Sequence, residues 1–441
     1  MNYFCVNIKI MTPEVITNKF NAEIKPRKAG QQHVLKLACE PLPNVRIALV
    51  GLGTRGSLAV NRFLNIEGAQ IAAICDIKKE NLQQAQRQLK KHHQNPASEY
   101  IVADDWRKAC EHPDIDLIYI CTDWLSHVPI AVYAMQHGKH VAIEVPAALT
   151  VDECWQLVDT AERTRRHCMM LENCCYGFFE LNTLNMIRHG LFGELMHAEG
   201  AYLHDLRSLN FPPREDTRKG MNRQKYSREH TGNLYPTHGL GPVCMAMNIH
   251  RGDKMNYLVS MSTMQLAITD YASKVYGPNS PEATQKYVLG DMNTTLIRTE
   301  KEKTIMIQHN ISNPRPYSRI HSITGIKGYF EKYPAEKISL EPDTEKFMTK
   351  KALKQLMQEY EHPFVKLYGE QAKKICGKRA LDFIMDSRLI YCLRNGLPLD
   401  MDVYDAAEWS CLTELTELSV LNGSCPVEIP DFTRGDWAKV L

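Results

Sequence analysis

The sequence predicts an α/β protein in which a doubly wound parallel sheet is followed by an α+β domain with an open, mainly antiparallel sheet. Between residues 45 and 171, short apolar runs alternate with amphipathic segments of helical length, as in βαβ units. From about residue 174, strand-like runs of alternating polarity follow one another, which is typical of antiparallel sheets. A chain of 441 residues is long enough for two domains, each with its own core. We expect a leader at 1–43, the parallel sheet at 44–173 and the α+β domain at 174–441.

A glycine-rich turn separates the first predicted strand from the first helix. The apolar run Val45–Val50 leads into Gly51-Leu52-Gly53-Thr54-Arg55-Gly56, and a second apolar run, Ala69–Cys75, stops at Asp76. The first glycine permits a tight turn, the second lets the backbone approach a pyrophosphate, and the third allows close helix packing. An acid twenty residues after the last glycine is placed to bind a ribose diol. The order predicts a Rossmann dinucleotide site that prefers NAD.

The rest of the parallel-sheet domain follows from the same alternation. Strands are expected at Ile115–Cys121, Val141–Val145 and Cys168–Leu171. Helices are expected at Lys78–Gln94, at Asp105–His112 and at Thr150–Arg166, and another follows Thr122–His127 and ends at Gln136. Ligands of such sheets bind at the carboxyl ends of the strands. The site is therefore expected to draw on the glycine turn, Asp76, Thr122–His127, Glu144–Pro146 and Glu172–Asn173.

The second half is predicted to begin with a helix at Phe179–His189. Strands are expected at Leu195–Tyr202, Leu258–Leu266, Thr294–Ile297, Thr304–Asn310 and Arg319–Thr324, and later helices at Lys346–Gln358, Lys378–Arg394 and Asp405–Leu421. Leu209–Arg228 is charged, contains proline and lacks periodicity, which favours a loop over a site. The leader is expected to pack on the surface, with one short helix around Gln31–Ala38.

Composition excludes several classes of function. The formal charge of +2 comes from 53 basic and 51 acidic residues, so no nucleic-acid-binding surface is indicated. No run of eighteen apolar residues suggests a membrane span, and the first residues lack the pattern of a secretory signal. We expect a cytoplasmic location, or export if a leader is missing. The 14 cysteines are scattered without a CxxC pair, which favours free thiols and no metal site.

Several motifs, in order across most of the chain, resemble one known enzyme family. They are GLGTRG at Gly51–Gly56, WLSH at Trp124–His127, EVP at Glu144–Pro146, MMLENCCY at Met169–Tyr176, AYLHDLR at Ala201–Arg207 and HTGNLYPTHGLGP at His230–Pro242. Together they resemble the Gfo/Idh/MocA oxidoreductase superfamily and, within it, the NAD-dependent glycosidases of glycoside hydrolase family 109, whose founding activity is α-N-acetylgalactosaminidase. The last motif is highly specific. Residues 1–43 lie outside the resemblance.

Two features that sugar dehydrogenases of this superfamily usually carry are missing. Their Glu-Lys-Pro motif reads Glu144-Val145-Pro146 here, so the lysine that helps to remove a hydroxyl proton is absent. Their Asp-x-x-x-His motif is absent too, because Leu234 stands four residues before His238. We expect the nucleotide site to be retained and the acid–base groups to differ. For Glu144, a buried structural carboxylate and a contact beside the nicotinamide both stay open.

The resemblance also implies a set of site residues. The catalytic residues would be His238, Tyr235 and Tyr202, and the substrate-binding residues Tyr202, Arg223, Tyr235, Pro236, Thr237, His238 and Tyr317. The NAD-binding residues would be Gly51, Gly53, Thr54, Arg55, Gly56, Asp76, Trp124, Leu125, Ser126, His127, Glu144, Val145, Asn173 and Tyr235. By residue type alone, His238 could instead satisfy local backbone groups, and Arg223 could be a solvated charge. No carboxylate stands out by spacing as a catalytic base.

The implied activity is hydrolysis of a glycoside without net redox change. C3 of the terminal sugar is oxidised by tightly held NAD, the C2 proton becomes acidic, the aglycone leaves from C1, water adds and the hydride returns. We expect a small glycoside or a terminal glycan sugar as partner, N-acetylgalactosamine in α linkage as the favoured sugar, and a homo-oligomer. Two other functions stay open: an NAD-dependent sugar or inositol dehydrogenase, and a catalytically silent nucleotide-binding sensor.

Overall fold

The computed structural model describes residues 20–101, 105–212 and 222–440. The first sheet comprises β1 (Val45–Val50), β2 (Ala69–Cys75), β3 (Ser98–Tyr100), β4 (Leu117–Ile120), β5 (His140–Ile143) and β6 (Cys168–Met170). All neighbouring strands are parallel, in the order β3-β2-β1-β4-β5-β6. Every residue of β4 and β5 is buried, as expected for a parallel sheet covered on both faces. The predicted doubly wound sheet is confirmed.

Five helices accompany this sheet. They are α1 (Thr54–Phe63), α2 (Lys79–Lys91), α3 (Trp106–Glu111), α4 (Trp124–Gln136) and α5 (Val151–Thr164). The α4 helix starts where the Asp123 side chain accepts a hydrogen bond from the Leu125 N–H. The α5 helix starts with a capping box between Thr150 and Glu153. These caps fix the loops that follow β4 and β5, which is where the ligand site of such a sheet lies.

The second sheet contains eight strands. They are β7 (Leu195–Leu203), β8 (Met255–Ser262), β9 (Asn293–Thr299), β10 (Thr304–Asn310), β11 (Ser318–Gly325), β12 (Gly328–Glu331), β13 (Lys337–Leu340) and β14 (Val427–Glu428). Their order is β13-β12-β11-β7-β10-β9-β8-β14. Among the described residues β7 and β10 pair in parallel, and the other neighbouring strands of this sheet are antiparallel. The expected open, mainly antiparallel sheet is therefore present.

Ten further α-helices accompany the second sheet in the part of the chain that the structure describes. They are α6 (Phe178–Arg188), α7 (Arg207–Asn210), α8 (Asn222–Glu229), α9 (Thr237–Ala246), α10 (Ala267–Tyr276), α11 (Pro281–Thr284), α12 (Lys350–Glu359), α13 (Pro363–Cys376), α14 (Ala380–Arg394) and α15 (Val403–Leu421). Within the described ranges, no helix has the length and apolar character needed to cross a membrane.

Several element predictions are wrong. Gln31–Ala38 contains turns and no helix. The strand expected to reach Leu266 ends at Ser262, because the Asp291 carboxylate accepts hydrogen bonds from the Leu266 and Ala267 N–H groups and starts α10 there. The loop expected at Leu209–Arg228 contains α7 and α8, while residues 213–221 lie outside the described residues. Helices also lie between β7 and β8 in the sequence. The elements that were not predicted include β3, β12, β13, α10 and α13.

The N-terminal segment from residue 20 ties distant parts of the chain together. Phe20 pairs with Val427, and the Arg27 guanidinium bonds Glu162 of α5 at 3.0 Å and Asp436 at 2.6 Å. Glu162 is fully buried and also accepts a hydrogen bond from the Tyr404 hydroxyl at 2.7 Å. The segment thus packs on the surface, as expected, and links α5 to the C-terminal residues.

Candidate active site

The glycine turn after β1 has the backbone geometry that its sequence predicts. Gly51 has a φ of +88°, and a Cβ there would lie 2.6 Å from the Cys121 carbonyl oxygen. A Cβ on Gly56 would lie 1.9 Å from the Gly51 oxygen, so α1 contacts the turn directly. A Cβ on Gly53 would meet nothing within 4 Å, and α1 begins there without a side-chain cap. This open helix N-terminus has the form of a phosphate-binding turn.

Asp76 connects the end of β2 to the glycine turn. Its carboxylate oxygens accept hydrogen bonds from the Leu52 N–H at 2.6 Å and the Lys78 N–H at 2.7 Å. Each carboxylate oxygen has a further lone pair with which it can accept another hydrogen bond. Asp76 is therefore held rigidly at the edge where the ribose of a dinucleotide would lie.

Arg55 is held by two carboxylates that come from different parts of the chain. Its Nε lies 2.7 Å from Glu144 Oε1, and its terminal nitrogens lie 3.4 Å from the Asp382 oxygens. Asp382, on α14, also accepts a hydrogen bond from the Asn173 side chain at 2.5 Å. Glu144 is buried and paired with Arg55. A carboxylate from the second half thus joins Arg55 to Asn173, and Arg55 in turn holds Glu144.

The loop after β4 places an aromatic ring beside the glycine turn. Trp124 packs against Tyr226 at 4.7 Å and Tyr235 at 6.0 Å between ring centroids. His127 is fully buried, its Nδ1 lies 2.8 Å from the Pro146 oxygen, and burial lowers the pKa of its imidazole. A cavity of about 500 Å³ opens here and is lined by Thr54, Arg55, Asp123, Trp124, Leu125 and Arg223 among others. The Ser126 hydroxyl donates a hydrogen bond to Asp123 at 2.8 Å, and Val145 is buried.

The Arg223 guanidinium lies among three aromatic rings. It is 4.7 Å from the Tyr235 ring centroid and 5.8 Å from those of Tyr202 and Trp124. One of its nitrogens also donates a weak hydrogen bond to the Tyr202 hydroxyl at 3.5 Å. This arrangement argues against the alternative of a solvated loop charge. We call Trp124, Tyr202, Tyr235 and Arg223 the aromatic cage.

A contact between glycines brings α9 onto β7 and so completes the cage. A Cβ on Gly239 would lie 2.3 Å from the Ala201 nitrogen, and one on Gly200 would lie 2.2 Å from the Gly239 oxygen. The two backbones therefore touch, which no other residue type would allow. His238, in the first turn of α9, is placed with its ring centroid 5.5 Å from that of Tyr202. Pro236 and Thr237, the residues that start the helix, are both buried.

His238 and Glu172 form a buried ion pair at the base of the cage. His238 Nδ1 lies 2.8 and 2.9 Å from the two oxygens of Glu172, which has no solvent exposure. Burial disfavours both charges, but Cys174 and Glu172 raise the pKa of His238 well above its usual range. His238 in turn, with the Cys174 N–H, lowers the pKa of Glu172 despite its burial. The pair therefore consists of an imidazolium and a carboxylate.

The polar wall beyond Tyr202 contains two more histidines and Tyr317. The Tyr202 hydroxyl lies 3.0 Å from His204 Nδ1, and the Tyr317 ring lies 4.9 Å from that of His204. His309, opposite Tyr202 in the β10–β7 register, is buried, and its Nε2 lacks a partner among the described residues. Burial, helped by Arg223, lowers the pKa of His309 to about 3, so this ring is neutral. Tyr317 is 42% exposed and forms the outer edge.

Sequence reasoning missed Asp382, and it placed Glu172 only in a strand-end loop of the site without a role. Glu172 follows β6 directly, so its place at a strand end was visible, but its pairing with a helix 66 residues away was not. In the folded chain Gly241 leaves room for this pairing, since a Cβ there would lie 2.7 Å from Glu172 Cγ. Asp382 gave no local signal, because nothing in the predicted helix Lys378–Arg394 distinguishes it from Asp386. The structure brings all the predicted catalytic and substrate residues to one place.

The site combines a dinucleotide-type turn with a polar, aromatic pocket. The His238–Glu172 pair can place a hydrogen-bond donor next to a ligand atom on which negative charge develops. The tyrosine hydroxyls and the neutral histidines can accept or donate protons. Such an arrangement suits a polyhydroxylated ligand placed against the nicotinamide end of a bound dinucleotide.

Comparison with known families divides the chain as the two sheets do. Residues 45–172 match the family described as "Oxidoreductase family, NAD-binding Rossmann fold", and residues 176–439 match "Glycosyl hydrolase 109, C-terminal domain". An alpha-N-acetylgalactosaminidase from Bacteroides fragilis is 60% identical over 413 residues, covering 93% of this chain and 97% of that protein. "Glycosyl hydrolase family 109 protein 2" from Phocaeicola vulgatus is 54% identical over 410 residues, with coverages of 92% and 99%.

Solved structures of low sequence identity have the same fold. A levoglucosan dehydrogenase in complex with NADH has a TM-score of 0.65 at 17% identity, with 88% of this chain and 99% of that one covered. An apo scyllo-inositol dehydrogenase from Lactobacillus casei has a TM-score of 0.61 at 12% identity, with the same coverages. These similarities concern the fold alone.

Proposed function

This chain belongs to glycosyl hydrolase family 109, and on that premise we propose that it releases terminal α-linked N-acetylgalactosamine from glycosides. Its relative of 60% identity is an alpha-N-acetylgalactosaminidase, and the two chains align over almost their full lengths. The observation that carries the proposal is the polar aromatic pocket, with its charged His238–Glu172 pair, built against a dinucleotide-binding turn. The substrate would be a small glycoside or the terminal sugar of a glycan.

The residues around the turn fit a bound NAD. The open N-terminus of α1 at Gly53 would receive the pyrophosphate, and Asp76 would accept hydrogen bonds from a ribose. Arg55, Glu144 and Asn173, joined through Asp382, would form the wall near the nicotinamide. Trp124 and Tyr235 would cover this end of the pocket. When bound, NAD supplies reversible hydride transfer to and from a sugar carbon.

His238 acts in this proposal as a hydrogen-bond donor that stays charged. Glu172 holds Nδ1, which leaves the other ring nitrogen, Nε2, for the sugar. An imidazolium stabilises negative charge on the sugar oxygen at C3 when that carbon is a ketone and its neighbour C2 loses a proton. Because His238 is already protonated, it does not suit the role of the base that removes this proton.

Tyr202 is the better candidate for proton transfer at C2. Arg223 lies 3.5 Å from its hydroxyl and stabilises negative charge that develops there. His204 Nδ1 lies 3.0 Å from the same oxygen and offers a route for the proton. Tyr235 and Tyr317 would then position the sugar ring. Arg223 would contribute both to this positioning and to the proton transfer at Tyr202.

A plain sugar dehydrogenase is the second candidate, because related folds carry that activity. The position of the dehydrogenase lysine is occupied here by Val145, which is buried and has no ionisable group. A catalytically silent nucleotide-binding sensor would not need the charged His238–Glu172 pair at the base of the aromatic cage. We therefore rank both below the glycosidase.

The test uses the purified chain with p-nitrophenyl N-acetyl-α-galactosaminide. We expect nitrophenol release without net absorbance of NADH, and in deuterium oxide we expect deuterium at C2 of the released sugar. Tyr202→Phe should lose both the release and the label, whereas Tyr391→Phe, on an exposed helix face, should retain them. Accumulation of NADH with free sugar would identify a dehydrogenase. Hydrolysis that leaves only protium at C2 would contradict the elimination route.

A further inference from the structure

A thiol lies beside the His238–Glu172 pair, and the proposed mechanism does not use it. Cys174 is in the short 3₁₀ helix Asn173–Tyr176, directly after β6, and is buried. One ligand atom from each of Glu172, Cys174 and His238 lies within 4.8 Å of the other two. Glu172 and Cys174 lie at the start of this 3₁₀ helix, and His238 lies in the first turn of α9.

The donor set matches the preferences of a zinc ion. Zn²⁺ binds thiolate sulfur, imidazole nitrogen and carboxylate oxygen at about 2.0–2.3 Å, and tetrahedral geometry places such ligands about 3.5 Å apart. The His238–Glu172 contact of 2.8 Å would lengthen by about 0.7 Å, and the other separations, none above 4.8 Å, would shorten by at most about 1.3 Å. Three protein ligands leave a fourth position for water or a sugar hydroxyl, which the pocket can supply.

Charge balance favours the exchange of protons for a divalent ion. With His238 protonated on both ring nitrogens, the pair carries one positive and one negative charge and is neutral overall. A bound Zn²⁺ would face the Glu172 carboxylate, the Cys174 thiolate and a neutral His238 imidazole. That site is also neutral, because the ion replaces one proton from nitrogen and one from sulfur. Because both states are neutral, burial does not disfavour the metal-bound state relative to the metal-free state through its net charge.

Arg319, whose charge acts on Cys174, is paired with a buried carboxylate. Arg319 lies 2.7 Å from Glu180, and Lys332 lies 2.5 Å from the second oxygen of the same carboxylate. Burial disfavours the Glu180 charge, but Lys332 and Arg319 lower its pKa to about 2, so it stays ionised. Glu180 thus offsets part of the positive charge that a cation would meet beyond Cys174.

We propose that Glu172, Cys174 and His238 form an inhibitory site for Zn²⁺ or a similar thiophilic divalent cation. Binding releases two protons, one from His238 Nδ1 and one from the Cys174 thiol, and forms metal–nitrogen, metal–sulfur and metal–oxygen bonds. The inhibitory consequence rests on the proposed function, because the metal would remove His238 from its role at the sugar. The binding itself does not depend on turnover.

The experiment uses the NAD-loaded full chain, with Zn²⁺ in an activity assay and Co²⁺ as a spectroscopic probe. We expect reversible Zn²⁺ inhibition that EDTA relieves and that strengthens from pH 6 to pH 8, since protons leave on binding. Co²⁺ should give the intense absorption of a thiolate-bound ion. In Cys174→Ser this absorption should vanish, and at least about 10-fold more Zn²⁺ should be needed relative to that variant's own activity.

Cys175→Ser is the matched control, because Cys175 is the adjacent buried thiol and lies outside the cluster. It should keep the cobalt absorption and the zinc sensitivity. Equal inhibition of Cys174→Ser and the parent chain, or cobalt absorption that survives in Cys174→Ser, would overturn the proposal. Absence of any cobalt–thiolate band in the parent chain would do the same. If the chain proves not to be a glycosidase, the cobalt spectrum still tests the site.

Discussion

Both carboxylate oxygens of Glu172 lie within hydrogen-bond distance of one nitrogen of His238, at 2.8 and 2.9 Å. The shared Nδ1 fixes the orientation of the imidazole, so that the proton on Nε2 is the one available to a ligand. Gly241 makes this contact possible, since a side chain there would collide with Glu172. The part of the HTGNLYPTHGLGP motif that surrounds His238 is therefore explained by close packing as well as by chemistry.

Glu172→Gln should lower kcat by about 10²-fold or more, because His238 would lose the charge that keeps it protonated. In the parent chain the pKa of His238 is raised, so the imidazolium persists as pH rises beyond the usual range for histidine. Without the carboxylate it should deprotonate at lower pH, and the alkaline limb of the kcat profile should move to lower pH. Glu408→Gln, in a second buried Glu–His pair, should lower stability and leave that limb in place.

Asp382→Asn should reduce the NAD content of the purified protein, because Asp382 holds both Arg55 and Asn173 at the predicted nicotinamide end. The substitution also breaks a buried ion pair, which costs about 3–5 kcal/mol of stability. Asp386→Asn, one turn along α14, breaks the pair with Arg62 and should cost similar stability with NAD retained. NAD released on denaturation and thermal unfolding measure the two effects. Equal NAD loss in both variants would assign Asp382 a purely structural role.

Gly239→Ala should destabilise the protein by several kcal/mol and lower its activity. The added Cβ would lie 2.3 Å from the Ala201 nitrogen, so α9 would have to move away from β7 and carry His238 with it. Gly369→Ala is the control, because a Cβ there makes only ordinary contacts in α13. That change should raise stability by up to about 1 kcal/mol through helix propensity. Denaturant unfolding of both variants checks the contrast, and an unaltered midpoint for Gly239→Ala would refute it.

Arg223→Ala should lower kcat/KM by about 10–100-fold, with much of the effect in KM. The guanidinium packs on the Tyr235 ring and reaches the Tyr202 hydroxyl, so its loss removes both a sugar contact and the support of the cage. Arg228→Ala, on the same helix, removes an exposed arginine that bonds Gln285. Its steady-state constants should stay within about twofold of the parent values. A similar loss in both variants would mean that α8 acts through its overall position and not through Arg223.

The sequence predicted the parts of this protein whose cause is local. Gly51 and Gly56 are required by a positive φ and a backbone contact within a few residues, so the turn could be read directly. The parallel strands and their helices followed from periodicity, and most appeared within three residues of their predicted bounds. The strand that failed, at Leu258–Leu266, depends on a side chain from elsewhere, because Asp291 fixes the start of α10.

By itself, then, the sequence determined the fold class and the dinucleotide turn, and it predicted a set of site residues. Only the tertiary structure decided which carboxylates serve that site. Asp382 lies 327 residues from Arg55, and Glu172 lies 66 residues from His238. Ion pairs over such sequence separations leave no periodic pattern in the sequence, because they depend on how helices pack on the two sheets. The charge state of His238, and with it the chemistry it can perform, is therefore a property of the folded chain.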